Sequence, residues 1–292
     1  MRLTRIGTLV VLGLAVAAAA SPQSSPAMDL GAVLVRVGER VAEYFARAQS
    51  LVCREAVSIQ TLNPSFTSDG LARNLVYDLR IEWQPAASPD EEPVANVLRE
   101  VVSVGGRRPR PNDEPKCMDP KPVTPDPLAM LLPNKQSEYT FNWGGFAKID
   151  GRTAVMIDYR SRETGRPVVT KKDEDCYEFD APGRTRGRVW IDQASGDVLR
   201  LDEGLTGMVD FDYTDRSRGR TFSSWTIERA DTSIRYRQVA FQDPQETLTV
   251  PISIDRMTVI RNSIGLTLTP RVRISQRFSD YRRFVTEGRI VQ

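Results

Sequence analysis

The chain has no histidine among its 292 residues. That absence removes the one side chain whose ordinary pKa lies near neutrality, and with it Ser-His-Asp and Cys-His nucleophile arrangements and histidine metal sites. Cysteine is scarce, with Cys53, Cys117 and Cys176 the only three, and they give no CxxC spacing. No GxSxG, SxxK, GxGxxG or P-loop pattern occurs. An excess of one charge is missing too, since 40 Lys and Arg stand against 38 Asp and Glu. A near-neutral chain is a poor ligand for a polyanion, and no nucleic-acid partner is expected. The chain therefore reads as non-catalytic, with no cofactor and no metal site.

What is present begins with an apolar run. "IGTLVVLGLAV" follows Arg2 and Arg5 and leads into Ala18-Ala19-Ala20 and Ser21. This is the charged, apolar and small-residue order of a secretory signal cleaved after Ala20. The run is about 15 residues, short of the roughly 20 that span a bilayer. Residues 1–20 are thus expected to be a signal peptide, 21–28 a disordered start, and 29–292 one domain of an exported protein, periplasmic or secreted. Without Arg2 and Arg5 the basic count falls from 40 to 38, equal to the 38 acidic residues. The balance is uneven, because residues 256–292 hold eight arginines and two acidic residues. Such a stretch could meet a membrane surface, although arginines on the outer face of edge strands also discourage edge-to-edge pairing.

Periodicity organises the rest. From Asp29, a good N-cap, Leu30, Val33, Leu34, Val37, Val41, Tyr44, Phe45 and Ala48 recur at three- and four-residue steps, which specifies an amphipathic helix of about 20 residues. Leu75, Tyr77, Leu79, Ile81 and Trp83 then alternate with polar residues, as do Tyr139, Phe141 and Trp143, and Val155, Ile157 and Tyr159. That period of two is the mark of half-buried strands. Asp150-Gly151 in "KIDGRT" suits a type I′ hairpin turn, so sequential strands are expected to be antiparallel neighbours. Further runs at 233–241, 248–254, 256–261 and 266–278 bring the expectation to about ten strands. A short helix is read at "PDPLAMLLP", with Asp126 as cap and Pro133 as stop. Residues 84–94, 105–127 and 161–185 read as long loops.

In their order, the helix, the strands that follow, "IDGRTAVMIDYRSR", "GRVWIDQASGDVLRLD", "TVPISIDRM" and "RFSDYRRF" resemble the periplasmic lipoprotein-carrier superfamily of LolA- and LolB-like half-barrels. The resemblance implies an α+β fold, a curved, unclosed antiparallel sheet with the long helix against it. It also implies a lipid, acyl-chain or lipoprotein ligand in an apolar cup. Leu75, Tyr77, Leu79, Ile81, Trp83, Phe141 and Trp143 are the candidate cup residues. In the last strand Val272, Ile274 and Phe278 fit the inward face, with Arg271, Arg273 and Arg277 outward and Tyr281 and Phe284 packing at its end.

Two other functions share this framework. One is an envelope interaction module with a filled core and a protein partner. The other is a histidine-free hydrolase using two carboxylates, for which the acidic run Asp173-Glu174-Asp175 is a weak candidate beside the reading of a solvated surface. Trp83, Trp143, Trp190 and Trp225 could line a sugar or lipid groove, but each more simply packs in a core. Of the cysteines, Cys53 falls where a lone thiol is a small buried apolar residue. Cys117 and Cys176 lie in long polar loops that need a tie, so an oxidising compartment should join them. A bridge to Cys53, or three free thiols, are the alternatives.

Overall fold

The computed structural model describes residues 29–47, 51–84, 94–113, 116–117, 119, 126–173, 176–215, 221–242, 244–262 and 270–283. Helix α1 spans Leu30–Arg47. Its first turn is capped as its sequence requires, the Asp29 carboxylate accepting a hydrogen bond from the Gly31 amide at 3.0 Å. Val37, Val41 and Phe45 form its buried stripe, flanked by the half-buried Leu30, Val33, Leu34 and Tyr44. Full burial of such side chains contributes about 1.5–3 kcal/mol each. Docking, more than propensity, therefore holds the helix.

Among the described residues thirteen strands follow: β1 Leu51–Thr61, β2 Arg73–Gln84, β3 Val94–Val104, β4 Tyr139–Ile149, β5 Arg152–Ser161, β6 Val168–Asp173, β7 Cys176–Asp180, β8 Thr185–Asp192, β9 Val198–Leu205, β10 Val209–Asp215, β11 Thr221–Gln242, β12 Gln245–Asn262 and β13 Arg271–Arg283. A short helix α2, Asp126–Ala129, and a 3-10 turn at Gln136–Glu138 separate β3 from β4. Eleven strands make one sheet in the order β3-β2-β1-β13-β12-β11-β9-β8-β5-β4, with β10 beside β11. All its pairings are antiparallel. The order ends at β3 and β4 without joining them, so the sheet is unclosed. The fold is α+β, a curved antiparallel sheet with an N-terminal helix against one face.

The period of two assigns that face. Leu51, Cys53, Val57 and Ile59 of β1, Leu75, Tyr77, Leu79 and Ile81 of β2, and Val155, Ile157 and Tyr159 of β5 share one core with the helix stripe and with Leu128–Leu132. Asp150 and Gly151 take φ of 49° and 80° in a two-residue turn, with Ile149 opposite Arg152. Both signs are those of a type I′ turn.

Three expectations need correction. Residues 161–185 are not one loop, because β6 and β7 form a two-stranded antiparallel sheet within them. Residues 248–254 and 256–261 belong to one strand, β12, which runs through Pro251 with an irregularity opposite it at Arg235/Tyr236. A bulge lets the ladder absorb a residue that cannot donate. Finally, β3 and β10 were not anticipated individually, although the sheet's eleven strands agree with the expected total of about ten. The signal segment and its cleavage residues, the start at 21–28, and Phe284 lie outside the described residues.

Candidate functional site

Strand β2 places the expected cup residues on the helix face, but they are already covered. Leu75, Tyr77, Leu79 and Ile81 are only 2, 4, 0 and 8% exposed. Phe141, on β4, packs at the margin of the same core. Trp143 stands opposite the buried Ile157 and so shares the face, yet it is 39% exposed and stacks edge-on with the 53% exposed Phe146. β4 is an edge strand beyond the cover of α1. The side chain of Trp83 lies outside the described residues.

Open space lies instead along α1. A cavity of about 170 Å³ separates the C-terminal half of the helix from β9, β11 and β12, with Val41, Tyr44, Leu128, Val198, Tyr236 and Leu248 in its wall. Arg40, Glu43, Gln238 and Thr249 also line it and supply polar groups. A second cavity of about 200 Å³, lined chiefly by Ala32, Val33, Val155 and Ile191, lies beside the first turns. Between the two, Arg36 and Arg40 tie the helix to the β8–β9 turn, Arg36 donating to the carbonyls of Gln193 (3.0 Å) and Ala194, and Arg40 to that of Ser195 (3.1 Å). Tyr236 is 7% exposed, and neither its hydroxyl nor that of Tyr44 has a hydrogen-bond partner among the described residues. Burial pushes both phenols above the usual tyrosine range.

Charged groups also face the core, and the sequence reading missed them. Glu55 stands in the inward register between Cys53 and Val57 and is 0% exposed. Arg99 of β3 approaches it to 2.9 Å, and Gln276 of β13 donates to it at 2.6 Å. The Arg99 guanidinium also lies 4.8 Å from the Tyr77 ring centre. On β9, Glu203 accepts a 2.8 Å hydrogen bond from the Tyr159 hydroxyl. Tyr159 reaches it by crossing β8 at Gly187, where a Cβ would fall 2.7 Å from the hydroxyl oxygen. Arg256 of β12 interacts electrostatically with both carboxylates. Burial raises Glu55 and Glu203 above the ordinary carboxyl range in spite of these partners.

The two carboxylates belong to separate clusters. β1 and β9 stand four places apart in the sheet order, roughly 19 Å along it at the usual strand spacing. Two-carboxylate hydrolysis needs a separation of about 5–10 Å with room for substrate. Each carboxylate is held by its own partners, and Arg256 lies between them. The other expected acidic site, Asp173-Glu174-Asp175, contributes no described side chain.

The remaining expected residues are dispersed. Cys117 and Cys176 are disulfide-bonded, and Cys53 is a buried free thiol that burial pushes up to about 12. Asp119, two residues from Cys117, pairs with Arg73 at 2.9 Å. The tie thus links a segment anchored on β2 to the β6–β7 hairpin. Trp225 packs there against Tyr177 and Phe179 in a second small core with Phe211. In the arginine-rich C-terminal strand Val272 and Phe278 are buried, and Gln276 joins them facing inward.

No protein-family model and no curated protein matches the chain. Among solved structures, it is similar to a LolA superfamily protein from Nitrosomonas europaea at 11% identity, covering 88% of this chain and 96% of that one, with a TM-score of 0.32. A putative outer membrane lipoprotein-sorting protein domain from Vibrio parahaemolyticus aligns at 11% identity over 89% and 93%, with a TM-score of 0.37. The MucA/MucB complex of Pseudomonas aeruginosa aligns at 12% identity over 87% and 99%, with a TM-score of 0.24. Likeness at this level assigns neither a ligand nor a partner to the chain.

Proposed function

We propose that the chain is an exported, non-catalytic half-barrel that binds the hydrocarbon of a lipid, acyl chain or lipoprotein. The observation that carries this reading is the seam along α1, where cavities of about 170 and 200 Å³ flank a helix whose stripe otherwise fills the cup. The ligand then lies beside the helix, over Val41, Leu128, Val198 and Leu248, and not on the wall formed by Leu75 to Ile81. Hydrocarbon burial contributes about 0.8 kcal/mol per methylene, so an acyl chain of moderate length reaches micromolar affinity. Titration with a fluorescent long-chain fatty acid tests it. Thr249→Trp, at the cavity wall, should weaken binding about tenfold or more, and no saturable binding at tens of micromolar would reject the reading.

A second reading rests on a different observation. Trp143 and Phe146 present an exposed aromatic pair on the open edge strand β4, which suits an interaction module that takes a protein segment by strand addition. Trp143→Ser should abolish capture of such a partner while leaving fatty-acid binding unchanged. Loss of fatty-acid binding in that variant would count against two separate surfaces.

A further inference from the structure

The face of the sheet opposite α1 carries a groove of about 1210 Å³ that crosses β4, β5, β8, β9, β11, β12 and β13. Its charge can be accounted for residue by residue. Four aspartates line it on this face, and each is taken by an arginine: Asp158 by Arg188 (2.5 Å), Asp202 by Arg200 (2.6 Å), Asp231 by Arg229, and Asp255 by Arg277 (3.1 Å). Arg160, Arg186 and Arg273 also line the groove, and none has an ion-pair partner among the described residues. Glu203 and Arg256, which also line the groove, offset one another, so the groove is positive after its internal pairs are formed.

Two of these arginines are placed against their own interest. Arg160 of β5 and Arg186 of β8 are direct cross-strand partners, both exposed and on the same face. Like charges directly opposite destabilise a sheet, and their Cβ atoms lie only about 5 Å apart. In the neighbouring row Asp158 stands opposite Arg188 and Arg188 opposite Asp202, and where two arginines meet again outside the groove, Arg200 opposite Arg235, Arg200 is held by Asp202. One row further on, Arg186 meets Gly204, which offers no side chain. The alternation of sign is broken in this row, and the carboxylate that lies over Gly204, that of Asp231, is already paired with Arg229.

From this geometry we infer that Arg160 and Arg186 bind a phosphate-bearing ligand. A guanidinium fork matches two oxygens of an oxyanion. A phosphomonoester has three such oxygens and a charge of about −1.5 to −2, so one group satisfies two forks and offsets two charges. The groove exceeds the roughly 300–1000 Å³ of a small-molecule pocket, leaving room for whatever carries the phosphate, a soluble phosphorylated compound or a lipid headgroup. This site lies on the face opposite the proposed hydrocarbon seam and does not depend on it.

The test uses the full chain with two probes, pyrophosphate and vesicles of phosphatidic acid in phosphatidylcholine. Pyrophosphate should raise the melting temperature saturably, and Arg160→Gln/Arg186→Gln should raise its half-saturating concentration at least tenfold. Arg235→Gln removes an exposed arginine of the same face that stands outside the groove, and it should leave the response as in wild type. Both arginines are exposed, so the double variant should melt no lower than wild type without ligand. If it does melt lower, Arg186→Gln alone carries the comparison. Sedimentation with the vesicles but no response to pyrophosphate, lost in the double variant, would identify the source as a lipid headgroup. Binding of neither probe, or equal weakening by Arg235→Gln, would overturn the assignment.

Discussion

Replacing Glu55 by leucine tests the charged layer inside the core directly. The carboxylate is 0% exposed and Arg99 is 11% exposed at 2.9 Å from it. The Gln276 amide donates to the same carboxylate. Glu55→Leu keeps the strand's inward side chain apolar but leaves the Arg99 guanidinium without its carboxylate and the Gln276 amide without its acceptor. Removing one partner of a buried pair costs about 3–5 kcal/mol, because the charge left behind stays desolvated. For a domain of this size each kcal/mol moves the melting temperature by about 2–4 °C, so a drop of about 6–20 °C is expected. Removing both charges, in Glu55→Leu/Arg99→Met, should recover most of that loss, since replacement of a whole buried pair by apolar side chains is often neutral. Thermal melting followed by circular dichroism reads both variants. If Glu55→Leu melts within about 2 °C of wild type, or the double variant no better than the single one, the pair does not carry the energy assigned to it.

Three further outcomes follow from the same packing. Gly38→Ala should destabilise the chain although alanine is the better helix former by about 1 kcal/mol, because the added Cβ would lie 2.9 Å from the Leu131 carbonyl oxygen and from the Gln136 amide. A melting temperature above wild type would show that the α1 contact yields easily. Cys117→Ser should lower non-reducing stability by up to about 4 kcal/mol on the chain-entropy model, the bridge closing a separation of 59 residues; in reductant the variant and wild type should unfold together. The buried carboxyls add a pH dependence: Glu55 and Glu203 are both raised from 4.5, so the folded chain keeps protons that the unfolded chain has lost, and stability falls as pH climbs from about 4.5 through the raised values. Glu55→Gln should flatten that slope in urea titrations, and an unchanged slope would locate the effect elsewhere.

The sequence discloses the helix and most of the sheet because both rest on local periodicity. The stripe Val37, Val41 and Phe45 and the alternation Leu75, Tyr77, Leu79 and Ile81 need no knowledge of what they pack against, and the turn at Asp150-Gly151 needs only its own backbone. What escaped depends on distant partners. "VANVLREVVSV" has no clean alternation, since Arg99 takes an inward position facing Glu55, 44 residues earlier. Glu55 itself interrupts Leu51, Cys53, Val57 and Ile59, and that break in an otherwise apolar row was the available sign of an inward charge. Gln276 gave the same sign between Ile274 and Phe278, and together the three mark one site reached from β1, β3 and β13. The cavity along α1 leaves no comparable trace. Every residue of its apolar wall satisfies the pattern of a filled core, and space beside Val41 depends on how the helix is set against the β8–β9 turn that Arg36 and Arg40 hold. The outward alternation hid the groove in the opposite way, because Arg160 and Arg186 look like any solvated pair until the register sets them side by side.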